Sequence, residues 1–185
     1  LSSKMSSVTK ISRFTTAVAA GTLLFAVSFL SWLWRGQSNV SQLLATAYSR
    51  QRTVELRIEG AHYAALRRER GGQTSSLSRP LELLEANAQI GMRLREHPGD
   101  ARLLQARGRA DLLDSSYEDA IADLQLALDG SPQSPSVLND LATAYFERAE
   151  LQPRVGDYGL AYELQSRALS TSPDDPVILF NRAVT

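Results

Sequence analysis

The sequence predicts an all-α fold in which repeated helical hairpins follow a single N-terminal transmembrane helix. Three observations carry that expectation. Pro98, Pro132 and Pro173 each close an apolar run, at intervals of 34 and 41 residues. Laid one interval on the next, Gly108, Tyr117, Ala120, Leu124, Ala127, Leu128 and Pro132 fall on Ala142, Tyr158, Ala161, Gln165, Ala168, Leu169 and Pro173. An uncharged run at 14–34 precedes the repeats. The chain therefore divides into a basic tail (1–14), an anchor (15–34), a linker (35–80) and a repeat region (81–185).

Each repeated position has a physical reason. Ala120 and Ala127 are seven apart, hence two turns apart on one helix face, where small side chains let a partner helix come close. Leu138, Leu141, Ala142 and Tyr145 form a core-facing stripe. Pro135 and Pro176 suit the first turn of a helix, where no N–H is needed. The second copy carries seven extra residues around 150–156. The first is the poorer copy. Arg107 and Asp111 interrupt its stripe, which Leu103, Ala106, Ala110 and Leu113 supply instead, so a tilted or looser helix is expected. Asp119 and Asp123 read as a solvated pair, and Ser134 as a tolerant turn position.

This layout of small residues at helix crossings and proline at the exit resembles the tetratricopeptide repeat. The resemblance implies a solenoid whose first helices line a groove for protein or peptide. The groove residues would be Arg102, Gln105, Arg109 and Leu112, then Ser136, Asn139, Thr143 and Phe146, then Val177 and Phe180. Such a groove has a positive end, a polar middle and an apolar end, with Arg102 and Arg109 facing solvent. It suits an extended segment carrying acidic and apolar residues. Asp140 stands where a carboxylate clamp would have asparagine, which argues against a bare chain terminus as ligand. The alternative is that Phe146 and Phe180 pack against further repeats. Pro176, Leu179 and Ala183 begin a third repeat that Thr185 truncates, so the chain reads as a fragment of a longer protein.

The N-terminal part is basic. Residues 1–80 hold eleven Lys or Arg against three Asp or Glu; residues 81–185 hold nine against seventeen. About twenty helical residues span a bilayer core, and the 14–34 run has Lys4, Lys10 and Arg13 before it and Trp32, Trp34 and Arg35 at its far end. A cleaved signal peptide is the rival, but no small-residue cleavage site follows Leu33. The basic tail favours an N-terminus inside, giving a single-pass membrane protein with repeats outside the cytoplasm.

In the linker, 40–48 reads as a short helix. Val54, Leu56 and Ile58 alternate with Glu55, Arg57 and Glu59, a strand signal over 53–59 that Gly60 would turn toward Tyr63. Arg67, Arg68 and Arg70 suit either an anionic-lipid contact or a solvated linker. Leu81–Glu96 reads as a half repeat or cap, with Leu84, Ala86, Ala88, Ile90 and Leu94 buried and His97 at its C-terminus.

No chemistry-bearing constellation is evident. The chain has no cysteine, and His62 and His97 have no ligand cluster around them. No enzyme activity, cofactor, metal or nucleic-acid partner is expected. A closer resemblance rests on 52–58 with 60–64, on 140–149 and on 179–183. These stretches look like the membrane-anchored repeat region of bacterial proteins that carry a caspase-like CHAT protease domain downstream. The catalytic His and Cys of that group have no matching positions here. The resemblance implies either a protein-binding scaffold or the non-catalytic regulatory front end of such a protease.

Overall fold

The computed structural model describes residues 40–62, 64–65, 79–152 and 154–185, and all regular structure in them is helical. The expected anchor at 15–34 and the Arg67, Arg68, Arg70 cluster lie outside the described residues. None of the described helices is long and apolar enough to cross a membrane.

Helix α1 covers 40–50 and buries Val40, Leu44, Ala47 and Tyr48, one face of a helical stripe. Helix α2 is Leu81–Glu96, and His97 is its C-cap. Its inward stripe is Leu83, Ala86, Ile90 and Leu94; Leu84, expected inside, is 47% exposed, and Ala88 is exposed too. The neighbouring helices cover only one face of α2, and residues 84 and 88 fall roughly a quarter-turn outside it.

Helices α3 (Ala101–Leu113) and α4 (Tyr117–Gly130) form one hairpin, and α5 (Pro135–Leu151) and α6 (Val155–Thr171) the next. Helix α7 (Pro176–Val184) follows. The odd-numbered members of this series start alike. Asp100 accepts hydrogen bonds from the N–H of Arg102 and Leu103, and Asp175 from Val177 and Ile178. Ser134 accepts from Val137 at 3.4 Å. Each cap stands two residues after its proline, so the caps repeat in phase with Pro98, Pro132 and Pro173. Ser134 is therefore a capping residue and not an indifferent turn position.

The seven additional residues of the second copy lengthen its helices. Helix α5 has 17 residues against 13 in α3, and α6 has 17 against 14 in α4, about one more turn apiece. Ala120, Ala127, Ala142, Ala161 and Ala168 are all fully buried at the repeated positions. The first hairpin is not slack at its crossing. A Cβ on Gly108 would lie 2.6 Å from Leu124 Cγ, and one on Gly130 3.0 Å from Ala101 Cβ. Those two pairings run in opposite directions along the chain, so α3 and α4 are antiparallel. Asp123 is also not solvated: it is 6% exposed and takes the guanidinium of Arg107 across the hairpin. Arg107, the apparent interruption of the stripe, is thus the partner that lets Asp123 be buried.

Residues 53–59 do not form a strand; among the described residues there is no strand at all. The alternation is nonetheless real, because Val54, Leu56 and Ile58 are buried and their neighbours are half-buried or exposed. The segment bends at residues 55 and 56 and turns at 59–60, and its N–H and C=O groups must find partners outside any ladder. Helix side chains and Arg52 supply them, in place of a second strand.

Candidate functional site: a cleft holding an extended segment

The apolar side of the segment faces the helices, and the bonds that hold it come from α1, α3, α5 and α7. Glu147, near the C-terminal end of α5, accepts the N–H of Glu55 and, at 3.2 Å, that of Leu56. Asn181 on α7 works in both directions on one residue. Its Oδ1 accepts the N–H of Arg57 at 2.7 Å, and its Nδ2 donates to the Arg57 carbonyl at 2.9 Å. The same Nδ2 lies 3.0 Å from Asn139 Oδ1, which sets the orientation of the amide.

The remaining carbonyls are held from the segment's own side. Arg52, itself buried, donates to the carbonyls of Val54 (3.0 Å), Ala64 (2.8 Å) and Glu55. Tyr48 on α1 donates to the Leu56 carbonyl at 3.3 Å. Thr53 donates its hydroxyl to the Leu113 carbonyl at 3.2 Å, at the C-terminal end of α3. From residue 54 to residue 57 every carbonyl has a side-chain donor, and the N–H groups of 55, 56 and 57 each have a side-chain acceptor.

Charge completes the site at the far end of the segment. Arg109 Nη2 and the Ser136 hydroxyl both reach the Glu59 carboxylate. Arg109 also donates to Asp140 at 2.6 Å, and Gln105 to the same carboxylate at 2.7 Å. Desolvation opposes the charge on Arg109, yet the Asp140 carboxylate, and more weakly Glu59, hold its guanidinium above its ordinary value. The Arg57 guanidinium lies over the Phe180 ring at 3.8 Å. Burial pushes the Glu147 carboxyl up to about 7, against the pull of the two N–H donors.

The ten residues expected to line a groove are distributed as follows. Arg109, Ser136 and Phe180 touch the segment, and Asn139 supports Asn181. Gln105 braces Asp140 and Ser136. Leu112 is buried in the core. Thr143 returns its hydroxyl to the Asn139 carbonyl of its own helix. Phe146 meets Tyr158 of α6 edge-on, with ring centroids 5.7 Å apart. Val177 is half-buried and Arg102 is exposed. Arg109 is not solvent-facing as expected; its side chain is 15% exposed, because Asp140 draws it inward.

Two principal contacts escaped sequence reasoning: Glu147 and Asn181. They occupy repeat positions thirteen and six, beside the positions assigned to the groove. The available signal was a polar residue on a buried stripe: Glu147 stands where the first hairpin has Leu113. Among the described residues no group of His, Asp and Glu is placed to hold a metal ion, and His62 and His97 are both exposed. No protein-family model matches the chain, and no curated protein matches it significantly.

Proposed function

We propose that this chain is a membrane-anchored helical-repeat scaffold of the tetratricopeptide type, whose work is to hold an extended protein segment in the cleft of its first helices. One observation carries the reading: Glu147 and Asn181, on α5 and α7, take up the backbone N–H groups of residues 55–57, which lie about ninety and more residues earlier in the chain. Backbone-directed bonds combined with burial of alternate side chains are how folded domains bind extended peptides. The buried alanines at both hairpin crossings and the caps in phase with the prolines support the repeat reading. The uncharged run at 14–34 supports the anchor. In this reading the protein stays with membranes through a carbonate wash, and deletion of residues 1–35 releases it.

The test of the cleft is transfer in trans. A full chain carrying Leu56→Asp, which cannot seat its own segment, should bind a labelled synthetic peptide of residues 51–62 one-to-one. Adding Glu147→Ala and Asn181→Ala should abolish that binding. A folded Leu56→Asp chain that ignores the peptide would sink the reading.

A second reading, the regulatory front end of a CHAT-type protease, has one observation in its favour. Three of the stretches that carry that resemblance, 52–58, 140–149 and 179–183, meet at this cleft through Glu147 and Asn181. In that setting the same cleft would hold the linker, or a segment of a downstream domain, beside the repeats.

A further inference from the structure

We infer that residues 52–59 are a built-in stand-in for an outside ligand. The cleft takes in trans a protein segment without regular structure, with apolar residues at three alternate positions and a carboxylate immediately after the third, and that segment must displace the chain's own. The inference rests on the scaffold reading above and adds the ligand's chemistry and the competition.

The pattern is read off the occupant. Val54, Leu56 and Ile58 are buried, whereas Glu55, Arg57 and Glu59 keep partial or full exposure, so only the alternate residues need be apolar. The N–H groups of 55, 56 and 57 are all donors to helix side chains, so proline is excluded at those three places. Glu59 follows Ile58 directly and meets Arg109 and Ser136, so a carboxylate is favoured there and a cation is not. Arg57 lays its guanidinium over the Phe180 ring in addition to its backbone bonds, so a cation is favoured at that position. The occupant is also poorly tied to its own surroundings by regular structure: no strand or helix holds 51–62. What retains it, besides burial, is a set of side-chain contacts; those to Glu147, Asn181, Phe180 and Arg109 are open to a second segment, and those of Arg52 call for an arginine two residues before the first apolar position.

Competition has a definite signature. A tethered occupant acts at an effective concentration of order millimolar for a short linker. The apparent affinity for an outside peptide falls by the fraction of chains whose cleft is open. Weakening the occupant must therefore tighten outside binding.

The experiment uses the full chain in detergent, as wild type, Leu56→Asp and Arg57→Pro, titrated with labelled peptides by fluorescence anisotropy. Arg57→Pro removes a donor to Asn181 and leaves the buried apolar residues in place, so it serves if Leu56→Asp does not fold. The peptides are residues 51–62, an otherwise unrelated sequence keeping Arg52, the three apolar positions, Arg57 and Glu59, a copy with proline in place of Arg57, and a copy with lysine in place of Glu59. Both variants should bind the first two peptides at least about tenfold more tightly than wild type does. The proline copy should lose about tenfold or more, as a buried acceptor is left without its donor, and the lysine copy a few-fold. Equal affinities for wild type and both variants, or a proline copy that binds as well as its parent, would overturn the inference while leaving the scaffold reading in place. A wild-type dimer that dissociates on Leu56→Asp would make the occupant a second copy's segment and overturn it also. Failure of every peptide on every folded variant would remove the scaffold reading itself.

Discussion

The two hairpins share one register and differ in what they carry on it. Gly108, Ala120, Leu124 and Ala127 of the first match Ala142, Ala161, Gln165 and Ala168 of the second, and all eight are buried. The first hairpin meets the segment through the Arg109 guanidinium, which reaches Glu59, and through the Leu113 carbonyl, which accepts from Thr53. The second has Glu147 at the position of Leu113 and Asp140 where the first has Ala106; Glu147 accepts segment N–H groups, and Asp140 accepts from Arg109 and Gln105 of the first hairpin. The additional turn of α5 also brings Arg148, which is buried against Asp157 at 2.8 Å. A repeated core can thus be kept while one copy is adapted to hold an extended chain, because the residues that pack hairpins and those that face the cleft lie on different sides of the same helix.

The shared register is broken most severely at the crossings. Ala127→Arg and Ala168→Arg each put a charge where the native side chain is fully buried, and each should cost about 4 kcal/mol or more in urea unfolding. If one of the two is tolerated, the hairpins are not equivalent. The next effect separates them. Gly108→Val drives atoms into Leu124 and should cost about 3 kcal/mol, whereas Ala142→Gly, in the matching place, should cost about 1 kcal/mol.

A swap sharpens the difference in polarity. Glu147→Leu makes the second hairpin resemble the first and leaves two segment N–H groups without an acceptor, at a cost of about 2 kcal/mol. Hydrogen exchange at the amides of Glu55 and Leu56 should then accelerate more than exchange within α3 and α4. Uniform acceleration would mean that Glu147 supports the hairpin and not the segment.

The pH response compares the hairpins again, since each holds a carboxyl raised to about 7. Burial lifts Glu147 from 4.5 to about 7, with the Glu55 and Glu150 carboxylates adding to the rise and the Leu56 and Glu55 amides opposing it. Burial, then Asp123 and Asp119, lift Asp111 from 3.8 to about 7, with Arg107 opposing and Asp114 adding. In both cases the native chain keeps a proton over a pH range in which the unfolded chain has lost it. The resulting stability is fully present below the ordinary carboxyl range and is lost as pH rises through about 7. Glu147→Gln should flatten part of that slope and leave the part due to Asp111. An unchanged slope would show that the second hairpin does not titrate in this window.

The smallest effect is at a cap. Ser134→Ala removes the one side-chain bond to the α5 N-terminus, 3.4 Å long, and should cost about 0.5 kcal/mol or a little more by thermal unfolding. Asp100→Ala, which frees two N–H groups of α3, should cost more.

Local rules alone made much of this protein legible. The helices of the repeat region follow from apolar periodicity, from proline at helix starts and from alanine at crossings, all of which act over one or two turns. The alternation at 54, 56 and 58 also told correctly which residues of that segment are buried. What it pairs with was not legible. A strand and an irregular segment clasped by side chains can carry the same apolar alternation, and only the fold brings Glu147 and Asn181, 91 and 124 residues away, to its backbone. The same holds for Asp123, which is a solvated carboxylate by its helical position and a buried one only once Arg107 stands across from it. Sequence by itself determined the helices from residue 81 onward and most of their apolar faces, because those rest on neighbours a few residues apart. The tertiary structure decided which polar groups are buried, because the burial of a polar group depends on a partner whose distance along the chain is not limited.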